Sequence, residues 1–83
     1  MIYTTAPQEY EISVNYPNEK NYTPSDVMKR WAKENNKVFA RGMYGTPYIN
    51  LFGKRYGYGS WKIIQNEDST ETVVVVLKRV WSI

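Results

Sequence analysis

Residues 10–16 alternate apolar and polar without a break, Tyr-Glu-Ile-Ser-Val-Asn-Tyr. That is the pattern of a strand with one face against a core. Its inward set is Tyr10, Ile12, Val14 and Tyr16, and Pro17-Asn18 ends it. The period then changes. Val27, Met28, Trp31 and Ala32 fall at i, i+1, i+4 and i+5, one apolar stripe on a helix. Thr23 stands where an N-cap is needed, with Pro24 at the first helical position and Asp26 three residues after the cap. This spacing predicts a capping box and a helix over 24–35. Asn35-Asn36 supplies a stop, because Asn tolerates the left-handed conformation that ends helices. Lys29, Arg30, Lys33 and Glu34 lie off the stripe and read as a solvated face.

The remainder reads as strands: 37–43, ended by Gly45-Thr46-Pro47; 48–52; 61–65; and 72–81 after the polar turn 66–69. Val73 to Leu77 is apolar at every position, which predicts a central strand covered on both faces, with the helix on one side. Three glycines fall among the eight residues 53–60, which argues for a mobile hairpin loop rather than a strand there. The order β-α-β-β-β-β predicts an α+β fold, a single helix packed on a curved antiparallel sheet of about five strands, partly rolled toward a barrel.

Eighty-three residues make a single small domain, 1–83. Aromatics make up 16% of it, and their large rings compensate for the small number of core positions. Cysteine is absent, so neither disulfides nor thiolate chemistry enter. The chain has neither an apolar run of membrane-spanning length nor a signal-like start. The reading from these features is a cytoplasmic protein with no membrane partner.

Charge and aromaticity then single out one stretch. Residues 39–61 hold seven of the thirteen aromatics, all five glycines, Arg41, Lys54 and Arg55, and no acid. The broader segment 20–62 has nine basic residues against Asp26 and Glu34, a local balance of +7 in a chain of net charge +3. Flat rings beside cations suit base stacking and phosphate contact. Rings and arginines also make protein-binding hot spots.

Catalysis is disfavoured. The chain has no histidine and no cysteine, which removes the commonest general base and the strongest nucleophile. Its acids are scattered, and Gly53, Gly57 and Gly59 fit neither a phosphate loop nor a dinucleotide fingerprint. No cofactor or metal is implied.

The expectation is a small non-enzymatic binding protein whose basic-aromatic sheet face and hairpin contact nucleic acid. Arg41, Lys54, Arg55 and Lys62 would meet phosphates, and Tyr44, Tyr56 and Tyr58 would stack on bases. The alternative is an inhibitor or adaptor, of the kind phage and mobile elements carry, that docks through the same surface. Its target would be a larger host protein, acidic or engaged with nucleic acid. Trp31 belongs to the helix stripe, whereas Trp61 and Trp81 are placed to close the sheet's rim. Trp81 and Ile83, apolar at the chain end, admit a homodimer through that edge.

Overall fold

The computed structural model describes residues 6–17 and 21–80. Strand β1 (Glu9–Tyr16) leads to helix α1 (Pro24–Glu34), followed by β2 (Phe39–Arg41), β3 (Pro47–Leu51), β4 (Lys54–Gln65) and β5 (Glu71–Arg79). The five strands form one antiparallel sheet in the order β1-β5-β4-β3-β2. Helix α1 therefore joins the two edge strands and crosses one face of the sheet. The α+β class holds. The sheet has two edges, β1 and β2, and is not closed into a barrel.

The helix begins and ends as its sequence dictates. The Thr23 hydroxyl accepts from the Asp26 amide at 3.3 Å, and the Asp26 carboxylate accepts from the Thr23 amide at 2.9 Å. Two otherwise unpaired amides are thereby satisfied. At the other end Asn36 adopts φ +56°, and the Lys37 amide donates back to the Ala32 carbonyl at 2.8 Å. That is the bond of a Schellman termination. Between these stops α1 buries Val27, Met28 and Ala32. Each fully buried side chain the size of Val or Met contributes about 1.5–3 kcal/mol.

The core lies between α1 and the inward-facing positions of the sheet. Ile12, Val14 and Tyr16 come from β1, Ile49 and Leu51 from β3, Tyr56 from β4, and Val73, Val75 and Leu77 from β5. Two ring clusters close its ends. Tyr10 meets Trp31 and Phe52 edge to face, with centroids 6.2 and 5.5 Å away. Tyr16 stacks on Tyr22 at 4.5 Å, and Tyr22 meets Trp61 at 5.9 Å.

Several expectations are corrected here. Residues 53–60 are not a loop, because β4 starts at Lys54 and runs twelve residues. Only Phe52 and Gly53 turn the chain, both left-handed at φ +54° and +72°. This is the two-residue hairpin geometry whose twist suits antiparallel strands. The other two glycines serve close approach instead of flexibility. A Cβ on Gly59 would lie 2.7 Å from the Val76 carbonyl oxygen, and one on Gly57 would lie 3.2 Å from Val80 Cγ2. Gly59 sits at a register shift in which Tyr58 opposes Leu77 and Ser60 opposes Val76, a β-bulge.

The strand expected over 37–43 forms only at Phe39–Arg41. The valine-rich strand is interior, but β4 occupies the middle of the sheet. Only one of its faces is covered by a layer. On the other, Val74 is shielded where it lies between Ser13 and Lys62 in the register, and Val76 is half-exposed. Trp81 and Ile83 lie outside the described residues. The edge expected there for a homodimer therefore lies outside them too.

Candidate functional site

The face opposite α1 carries alternate residues of every strand. From β1 these are Glu9, Glu11, Ser13 and Asn15; from β5, Thr72, Val74, Val76 and Lys78; from β3 and β4, Tyr48, Asn50, Arg55 and Gly57. At the β3–β4 end this face sinks into a groove of about 860 Å³. One wall is the β2–β3 turn, with Gly42, Met43, Tyr44 and Thr46. The floor and other walls come from Pro47, Tyr48, Asn50, Gly53, Lys54, Arg55, Gly57, Tyr58 and Val80.

Local rules explain the shape. Register places Gly57 opposite Tyr48, so the floor has no side chain where its neighbour has a large ring. Residues 42–46 form a closed turn, with the Gly42 amide donating to the Thr46 carbonyl at 2.8 Å and Gly45 left-handed at φ +79°. Two large side chains project from this turn, Met43 at 91% and Tyr44 at 90% exposure. Across the groove the Arg55 guanidinium lies over the Tyr48 ring at 4.7 Å, a cation–π contact that pairs the two groups. Tyr58 borders the groove and is 43% exposed, although its register opposite Leu77 gives it the helix-side phase of β4. The lining has no carboxylate, and among the described residues Lys54 and Arg55 have no acidic partner within 4.0 Å. Their charge is directed to solvent and to whatever enters.

The seven residues singled out by sequence divide into four groups. Tyr44, Lys54, Arg55 and Tyr58 line the groove together. Arg41 does not: its guanidinium donates to the Gly45 carbonyl at 3.0 Å and lies over Phe39 at 5.7 Å, bracing the turn that bears Tyr44. Lys62 sits on the same face farther along β4, by a shallow depression of about 330 Å³ that Glu11 also lines. Tyr56 cannot stack on a ligand. It is fully buried in the core opposite Ile49, and its hydroxyl donates to the Pro7 carbonyl at 2.5 Å.

Sequence reading missed Tyr48, Asn50, Met43 and Val80. Tyr48 and Asn50 were legible in principle, since the burial of Ile49 and Leu51 sends their neighbours to the other face. Val80 carries no local signal. It reaches the groove because its amide donates to the Arg55 carbonyl at 2.8 Å, which ties the end of β5 to the start of β4.

Three of the acids, Asp26, Asp68 and Glu71, serve the scaffold. Asp26 caps α1. Glu71 accepts from the Tyr22 hydroxyl at 2.9 Å and the Gln65 amide at 2.7 Å. Burial, followed by the Glu71 hydrogen bond and charge, pushes the Tyr22 hydroxyl up to about 12. Asp68 accepts from the Thr70 hydroxyl and amide, which holds its carboxyl below the usual range and fixes the β4–β5 turn. Among the described residues no three of the side chains His, Cys, Asp or Glu come together as metal ligands do. No helix there is long and apolar enough to cross a membrane.

No protein-family model matches the chain, and no curated protein or solved structure matches it either.

Proposed function

We propose that this is a non-enzymatic binding protein whose groove takes a segment of single-stranded nucleic acid. The observation behind the reading is the grouping of Lys54 and Arg55 with Tyr44, Tyr48 and Tyr58 around one acid-free depression. Lysine and arginine meet phosphates, releasing counterions and making affinity fall with salt. Exposed rings stack on unpaired bases irrespective of sequence, each worth about 1–3 kcal/mol. A duplex hides its base faces and fits a depression of this size less well than a flexible strand does. Glu9 and Glu11 lie on the same sheet face at the β1 side, so a polyanion is confined to the β3–β4 half.

A second reading, docking on a larger protein, draws on Met43 and Tyr44, whose apolar surface stands almost fully in solvent. Such a tip is also what a hot spot looks like before binding. Fluorescence anisotropy with labelled single-stranded and duplex DNA and RNA, at about 50 and 200 mM salt, separates the two readings. The nucleic-acid reading expects salt-sensitive binding that favours single strands. It also expects the double variant Lys54→Ala/Arg55→Ala to lose both affinity and salt slope. Absence of binding at the lower salt, where basic groups act most strongly, overturns it in favour of a protein partner.

A further inference from the structure

The sheet has two edges of different character. Strand β2 is three residues long and offers little to pair with. Strand β1 is eight residues long; Glu9 and Glu11 put charge on it, but it has no lysine, no bulge and no proline between Glu9 and Tyr16. The Arg79 amide donates to the Gln8 carbonyl at 2.9 Å, and Glu9 opposes Lys78 in the register. Even-numbered residues of β1 therefore bond to β5, and the amides and carbonyls of Glu9, Glu11, Ser13 and Asn15 point away from the sheet. All four residues are exposed, and among the described residues no partner takes up these backbone groups.

We propose that β1 pairs antiparallel with β1 of a second copy of this chain, centred on Ile12, to make one continuous ten-stranded sheet. Symmetry selects this register. Pro7 and Pro17 stand five residues to either side of Ile12 and, like the four free residues, occupy odd positions. Proline has no amide to donate. With Ile12 on the two-fold axis, Glu11 faces Ser13 of the second copy and Glu9 faces Asn15, so the outward groups of both strands are used and neither proline falls inside the ladder. A shift of two residues one way sets Glu11 against Glu11, which repels, and brings Pro7 opposite Asn15. The opposite shift brings Pro17 opposite Glu9.

On the helix side the chosen register sets Tyr10 against Val14 of the second copy, an aromatic–β-branched pair of the kind that stabilises sheets. Such a two-fold contact is self-complementary and closes at two copies. Helix α1 packs on all five strands from one face of the sheet.

The test is sedimentation equilibrium across a concentration series, with charge changes at Ser13. This residue is exposed, and its side chain bonds to nothing among the described residues. In the proposed register Ser13→Lys faces Glu11 twice per dimer and tightens self-association, whereas Ser13→Glu loosens it, each by roughly two- to thirtyfold. On a strand with no partner, lysine is a guard and tightens nothing. Because the native chain has no cysteine, a mixture of Glu11→Cys and Ser13→Cys chains also reports the register. Residues bonded across an antiparallel ladder sit about 5.5 Å apart, within disulfide reach. The mixture should cross-link faster than either variant alone. A monomer at every concentration, or a dimer indifferent to both Ser13 changes, overturns the proposal.

Discussion

Tyr56 gives the sharpest test of the fold against the sequence pattern that singled it out. It lies in the most basic and aromatic stretch of the chain, yet its ring is fully buried and its hydroxyl donates to the Pro7 carbonyl at 2.5 Å. Tyr56→Phe keeps the ring and removes that bond. A neutral intramolecular hydrogen bond contributes about 0.5–1.5 kcal/mol net, and a half-buried carbonyl left without a donor places the loss toward the upper part of that range. The segment 6–8 is not released outright. The Arg79 guanidinium still donates to the Ala6 carbonyl at 2.6 Å, and its amide to the Gln8 carbonyl at 2.9 Å. The expected loss is therefore about 1 kcal/mol, which for a domain of this size lowers Tm by about 4–8 °C.

Tyr56→Ala removes the ring as well and costs about 3–5 kcal/mol. That is a large part of the roughly 4–12 kcal/mol such a chain has in total. Thermal denaturation followed by circular dichroism measures both variants. Binding to single-stranded probes, measured on folded Tyr56→Phe, should equal that of the native chain. An unchanged Tm together with weakened binding would refute the reasoning, because it would put the Tyr56 hydroxyl at the ligand and not in the core.

Gly57→Ala adds a methyl group to the groove floor where only Val80 Cγ2, at 3.2 Å, must give way. It should remain folded and weaken single-strand binding several-fold in anisotropy titrations. Gly59→Ala meets the Val76 carbonyl at 2.7 Å and Lys78 Cγ at 3.0 Å, so the bulge must shift. A loss of about 1–3 kcal/mol in urea unfolding is expected. Tyr22 is held neutral in the fold, its hydroxyl pushed from 10.0 to about 12. The unfolded chain then releases this proton first, and the stability Tyr22 contributes is complete below pH 10 and lost between there and about pH 12. Tyr22→Phe should flatten that part of the stability–pH curve, as read by denaturant titration at several alkaline pH values.

Much of the scaffold was legible because local signals agreed. In β1 the strict alternation placed Ile12, Val14 and Tyr16 inward. In α1 the Thr23/Asp26 pair, Pro24 and the apolar stripe all pointed to one start and one face. The failures share a cause, which is that a residue's role was set by a neighbouring strand. Gly57 and Gly59 looked like breakers because sequence shows composition, not that Val80 and Val76 press against them. Tyr56 looked like a ligand contact because its company was basic, although hairpin register sets it opposite Ile49. The run 73–77 gave no phase from which to see that one of its faces would lack a covering layer. Of the groove, the basic and aromatic character was readable, while the sorting of Arg41, Tyr56 and Lys62 away from it required the register.

The bulge at Gly59 has a consequence for how this chain tolerates change. Before it, the residue facing the helix is even-numbered, Tyr56; after it, the residues opposite Val75 and Val73 are odd-numbered, Trp61 and Ile63. The strand thus switches parity at one point, and the two halves of β4 are kept in phase with their neighbours only by that extra residue. Deleting a single residue there would leave every side chain intact yet turn half the strand inside out, exporting either Tyr56 or Trp61 to water. In this chain β4 is sensitive to length more than to composition, and among variants a gap at this position would signal a reorganised face even where identity on both sides stayed high.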